Sequence, residues 1–216
     1  MIRQVATLVA AMGIAFATGA AQRPGFPEEN VHYREIPFAQ PVETGDKIEV
    51  REFFWYGCPH CYHLEPALNS WLKRMPPNVQ FVRTPGVAQS WLVHAQAYYA
   101  FESLGVVGKV HEPFFSAVQT DRGAYNTPEA IAKFVTKHGV DAKKFQDAYA
   151  SFAVRLKLER AKRQNLEFGV QSVPTIAVDG KYLTSSTMAG GEEAVMKVVD
   201  FLIEKAAKER GRSSAR

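Results

Sequence analysis

The chain has 216 residues, 46% of them hydrophobic and 22% charged, which is enough apolar matter for one substantial core or a core with a subdomain and excludes a largely disordered protein. The net charge of +4 is mild, and much of it lies in the tail at Lys205, Lys208, Arg210, Arg212 and Arg216, so nothing points to nucleic-acid binding. The only cysteines, Cys58 and Cys61, are too few for the disulfide scaffold of a secreted protein, and the loop between them is too small to staple a fold.

In chain order, Arg3 precedes an almost wholly apolar run from Val5 to Ala17, and the small residues Thr18, Gly19, Ala20 and Ala21 follow. This reads as a secretory signal peptide over residues 1–21, cleaved after Ala20 or Ala21, because the run is shorter than the roughly 20 residues of a membrane span. Ile48 to Tyr56 reads as a buried strand. Pro59 to about Arg74 reads as a helix with apolar residues at Leu64, Leu68, Trp71, Leu72 and Met75, and Pro59 suits the first helical position. Val79 to Thr84 is a second strand, which makes a βαβ unit with both cysteines at its strand-to-helix corner.

Helical patterns then dominate: Trp91 to Leu104 closed by Gly105, a short Pro113 to Gln119, a helix started by Thr127-Pro128-Glu129 and stopped by Gly139, and another opened by Asp141. A long helix runs from Phe152 to Phe168. Thr175 to Val178 and Lys181 to Leu183 flank Asp179-Gly180, a strong hairpin signal, and an amphipathic helix from Glu192 to about Lys208 closes the fold. The order is βαβ, a helical block, then ββα, with no internal repeat. Residues 86–149 read as an inserted helical domain, 22–85 and 150–209 as the discontinuous domain that carries it, and 210–216 as a frayed basic tail.

Helical spacing gives the two sulfurs different surroundings. Cys61 shares the core-facing stripe of Leu64 and Leu68 and is expected to be shielded. Cys58 falls at the N-cap, where unpaired N–H groups and the positive end of the helix dipole favour an anion, so its thiolate is stabilised and its pKa depressed. His60 adds a donor or a positive charge within one turn. Whatever stabilises the thiolate stabilises the reduced pair, and so makes the disulfide a better oxidant. A structural zinc site built on Cys58, Cys61 and His63 lacks a fourth ligand. Haem attachment requires His where Tyr62 stands, and an inert disulfide is disfavoured by the short loop.

Glu52-Phe53-Phe54, then Cys58-Pro59-His60-Cys61-Tyr62, together with the helical insertion, Ser172-Val173-Pro174 and the Asp179-Gly180-Lys181-Tyr182 turn, resemble the DsbA-type periplasmic thiol–disulfide oxidases of the thioredoxin superfamily. The resemblance spans nearly the whole mature chain and implies an α/β thioredoxin fold with an inserted helical subdomain. It further implies that Pro174 is a cis-proline beside the active site, leaving the Val173 backbone free to pair with an extended substrate. It makes Glu52 a buried acid with a raised pKa that relays protons to Cys61. Pro66 is expected to kink the first helix without a chemical role.

The same resemblance implies a monomeric periplasmic enzyme that needs no cofactor beyond its redox-active disulfide. Its clients would be reduced, unfolded secreted proteins, and a quinone-linked membrane oxidase of the DsbB type would reoxidise it. The alternatives are an isomerase or reductase of the same superfamily, or a non-catalytic holdase gripping extended chains beside Pro174. His63, His94, His111 and His138 form no constellation in the sequence and are read as surface or packing residues. Trp91 and the cluster of Tyr98, Tyr99 and Phe101 are read as helix core.

Overall fold

The structure is a computed structural model that describes residues 27–214, so the expected signal peptide lies outside the described residues. In chain order the strands are Arg34–Glu35 (β1), Ile48–Phe54 (β2), Val79–Pro85 (β3), Thr175–Val178 (β4) and Tyr182–Thr184 (β5). The helices are Pro59–Leu72 (α1), Leu92–Ser103 (α2), Val107–Thr120 (α3), Pro128–Lys137 (α4), Ala142–Ala150 (α5), Phe152–Glu167 (α6), Ser186–Ala189 (α7) and Glu192–Ser214 (α8).

One mixed sheet in the order β1-β5-β4-β2-β3 organises the molecule. β2 pairs in parallel with β3 and antiparallel with β4, and every residue of β2 is buried. A strand covered on both faces has no solvent side, which is why IEVREFF shows no clean alternation. Its charged members are neutralised in place: buried Arg51 bonds Glu49 at 2.8 Å, Glu43 at 3.0 Å and the Thr84 hydroxyl at 2.6 Å.

Leu64, Leu68 and Trp71 of α1 share a core with Val195, Val199 and Leu202 of α8 and with Ile48, Val50 and Ile176 of the sheet. The helices between β3 and β4 enclose a second core around Phe101, Phe114, Phe115 and Phe145, which reaches back to Phe54, Tyr56, Cys58 and Cys61. The block is therefore packed against the cysteine corner itself.

Local chemistry sets the ends of the elements. Thr127 and Asp141 cap α4 and α5 by accepting from the N–H groups of Ala130 and Lys144, at 3.2 and 2.8 Å. In the β4–β5 hairpin Asp179 and Gly180 take φ of 55° and 66°, and the Lys181 N–H donates to Val178 O at 3.0 Å. Both central residues at positive φ match the twist of the flanking strands.

Three expectations need correction, and two elements, β1 and α7, were not expected. The helix expected from Pro113 begins at Val107 with Pro113 inside it; burial of Val110, His111, Phe114, Phe115 and Val118 along one face outweighs the lost backbone hydrogen bond. β2 stops at Phe54 rather than Tyr56, because the Cys58 N–H turns back to Trp55 O at 2.9 Å. β1 carries no sequence signal that marks it, and α7 is a single short turn between Ser185 as N-cap and Gly190 at positive φ. The tail expected from residue 210 is still helix at Ser214: Arg210 pairs with Asp179 and bonds Asp46 O at 2.8 Å, so long-range partners hold the last turns.

Candidate active site

The chain leaves β2, turns through Trp55, Tyr56 and Gly57, and enters α1 with Cys58 as N-cap in extended geometry and Pro59 in the first turn. Both sulfurs are thiols here. The Cys61 N–H points at Cys58 Sγ from 3.4 Å, in the manner of an N-cap oxygen. Cys58 is 7% exposed and Cys61 is 0% exposed, so the outer sulfur is itself mostly covered. The cover comes from Val173, whose carbonyl accepts from the Cys58 thiol at 3.3 Å across a cis Val173–Pro174 bond.

The electrostatics separate the two thiols. The Cys58 pKa is lowered to about 6, chiefly by a hydrogen bond from the Cys61 side chain, helped by the backbone N–H groups of Cys61 and His60 and by the His60 charge, against an opposing effect of burial. Burial pushes the Cys61 thiol far up, and the Cys58 and Glu52 charges push it further. His60 is exposed on the rim, lining a groove of about 370 Å³ with Arg34, Val173, Pro174, Thr175 and Met188.

Beneath the cysteines lies a buried polar chain. Glu52 is 0% exposed, and its Oε2 accepts from Arg83 Nε at 2.9 Å, while Oε1 has no protein partner among the described residues. Burial raises the Glu52 pKa to about 7 against the pull of Arg83. Arg83 also donates to Glu65 Oε1 at 3.1 Å, which in turn lies 3.4 Å from His111 Nε2, and His111 Nδ1 lies 2.8 Å from the Tyr56 hydroxyl.

Burial lowers the His111 pKa and favours a neutral ring. A neutral ring satisfies both neighbours in one tautomer, with Nε2–H donating to Glu65 and Nδ1 accepting from Tyr56. Burial alone would raise the Glu65 pKa, but the His111 and Arg83 hydrogen bonds bring it below the usual carboxylate value. Gln119 Nε2 donates to Tyr56 O at 2.7 Å, so α3 holds the turn before Cys58 through two separate bonds.

The structure thus gathers Cys58, Pro59, His60, Cys61, Val173 and Pro174 at one corner, with Glu52 in the strand below. Reading the sequence missed Arg83, Glu65, His111 and Tyr56. His111 is corrected from a residue without a constellation to a link in this chain; Glu65, beside Leu64 on the buried stripe of α1, was the signal that could have found it. His94 is buried and accepts from Trp55 Nε1 at 3.1 Å, whereas His63 is exposed. Trp91 is half-buried beside the site rather than helix core. Among the described residues, no three His, Cys, Asp or Glu side chains gather to hold a metal.

Residues 83–202 match the DSBA-like thioredoxin domain. The chain is 40% identical to the thiol:disulfide interchange protein DsbA of Pseudomonas aeruginosa, over 92% of this chain and 94% of the relative. It is 42% identical to the protein of the same description from Azotobacter vinelandii, over 80% and 81%. A crystal structure of Pseudomonas aeruginosa DsbA superposes with a TM-score of 0.81 at 40% identity, covering 87% of this chain and 96% of that one. The oxidoreductase NmDsbA1 of Neisseria meningitidis superposes with a TM-score of 0.76 at 26% identity, covering 85% and 96%. With a thioredoxin fold, a helical insertion and a Cys-Pro-His-Cys pair at a helix N-terminus, the chain belongs to the DsbA family of thiol:disulfide oxidoreductases.

Proposed function

We propose that the protein oxidises reduced, unfolded secreted proteins in the periplasm, using the Cys58–Cys61 disulfide as its only redox group. A client thiolate attacks Cys58 Sγ in that disulfide; the Cys58–Cys61 bond breaks and a mixed disulfide forms on Cys58. The electron pair leaves on Cys61, whose burial requires a proton, and Glu52 supplies it as a carboxyl with a pKa of about 7. A second client thiolate attacks the client sulfur of the mixed disulfide and expels Cys58 as a thiolate. The client gains a disulfide and the enzyme gains two electrons and is left with a reduced cysteine pair.

His60 and the N–H groups of α1 stabilise the departing Cys58 thiolate, and the Val173 backbone beside Pro174 holds the client in extended form. A quinone-linked membrane oxidase of the DsbB type restores the disulfide, and residues 1–21 direct export. The observation that carries this reading is the asymmetry of the pair: Cys58 sits at the N-cap of α1 with the Cys61 N–H 3.4 Å from its sulfur, while Cys61 is fully buried. Cys58→Ala is expected to abolish oxidation of a reduced client and Cys61→Ala to accumulate mixed disulfides, followed by non-reducing gel electrophoresis and mass spectrometry. A Cys58→Ala protein that still oxidises clients would overturn the reading.

A further inference from the structure

Gln171, Ser172 and Val173 line the groove that holds His60 and Met188, and they also line a second groove of about 350 Å³ on their other side. They form a ridge between two clefts, and the ridge touches Cys58. The second groove is walled by Val87, Trp91, Leu166, Val170 and Val173. Leu166 is 81% exposed and presents its aliphatic side chain at the groove.

The aromatic wall is held rigidly. Trp91 stacks on Trp55 with ring centroids 4.6 Å apart and planes 11° apart. Trp55 lies over Gly57, where an added Cβ would stand 2.2 Å from the indole; Trp91 lies over Gly86, where one would stand 2.9 Å from it. Two glycines thus clear room for two indoles that run from the turn before Cys58 to the groove. Two polar side chains of the wall are engaged elsewhere: Asn165 donates to Pro85 O and Ala161 O at 3.1 and 2.8 Å, and Lys162 pairs with Glu159 at 2.7 Å. The surface left between Val87, Trp91, Leu166, Val170 and Val173 is apolar, with Gln171 and Ser172 on the ridge side.

An extended chain laid along Val173 sends consecutive side chains to opposite sides of the ridge. We propose that the Trp91–Leu166 groove is a subsite for one large apolar side chain of the client, close in sequence to the cysteine that attacks Cys58, and that it sets client preference. The inference rests on the oxidase reading above, in which the client pairs with the Val173 backbone. The chemistry stays that of the mechanism: two client thiols become a disulfide as Cys58–Cys61 becomes two thiols.

The test uses reduced two-cysteine peptides with Phe, Leu, Ser or Asp flanking the first cysteine. Their oxidation rates are measured with the oxidised protein, and their binding to a Cys58→Ser/Cys61→Ser protein is followed by tryptophan fluorescence. The Phe and Leu peptides are expected to exceed the Ser peptide about tenfold in kcat/KM and in affinity, and Leu166→Asp to shrink the gap to about twofold while leaving the glutathione equilibrium unchanged. Trp91→Ala is expected to act likewise on oxidation; Leu166→Asp, at an exposed position, decides the matter if Trp91→Ala misfolds. Equal treatment of all four peptides, or a preference that survives Leu166→Asp, would overturn the subsite. A preference in binding alone, with no peptide oxidised, would keep the subsite and overturn the oxidase reading.

Discussion

Cys58 occupies a position normally filled by a serine, threonine or aspartate oxygen, and the sulfur inherits the donors meant for that oxygen. The sign of the effect on the redox pair follows. A depressed pKa stabilises the reduced protein fully above the ordinary thiol value near 9, and that stabilisation disappears as pH falls through about 6. At pH 7 it is worth about 1–2 kcal/mol, equivalent to roughly 20 to 40 mV of added oxidising power. Thiolate absorbance of the reduced protein should therefore titrate with a midpoint near 6, and alkylation of Cys58 should slow about tenfold for each pH unit below it. His60→Ala should move that midpoint upward, because it removes a positive charge beside the sulfur; an unmoved titration would show the backbone donors suffice.

At the scale of elements, legibility depended on where the defining interaction lies. α1, α4, α5 and the β4–β5 hairpin carry their instructions locally, in Pro59, Thr127, Asp141 and Asp179-Gly180, and their starts could be read from the chain. The cysteine pair at a strand-to-helix corner was legible for the same reason. β1 has only two residues and exists through its pairing with β5, while the early turns of α3 exist through burial in the helical core. The Glu52–Arg83–Glu65–His111–Tyr56 chain joins β2, β3, α1, α3 and the turn before Cys58, so no single stretch could announce it. Gly180 offers a sharp check on the hairpin. A Cβ there would stand 2.0 Å from Gln40 O at a φ of +66°, so Gly180→Ala should cost at least about 2 kcal/mol in urea unfolding.

For the whole molecule, the helical block and the cysteine corner share one continuous core, with Phe54, Tyr56, Cys58 and Cys61 buried among Phe101, Phe114 and Phe115. Such sharing predicts one cooperative unit. Phe114→Ala, at a fully buried position in the block, should destabilise by about 3–5 kcal/mol, with circular dichroism and Cys61 accessibility changing in a single coincident transition. Separate transitions would mean that the block folds on its own.

The order of the sheet has a further consequence. On the function proposed above the protein meets unfolded chains whose strands look for a partner, and an open sheet edge would seed coaggregation with them. One edge here is β1, only two residues long, and the other is β3, whose last two residues Thr84 and Pro85 are buried and whose Pro85 has no N–H to donate. A two-residue edge and an edge closed by a buried proline leave a foreign strand little room to lengthen the sheet. Contact with misfolded material is thereby steered away from the margins, and the molecule can work among sticky polypeptides without becoming a nucleus for their precipitation.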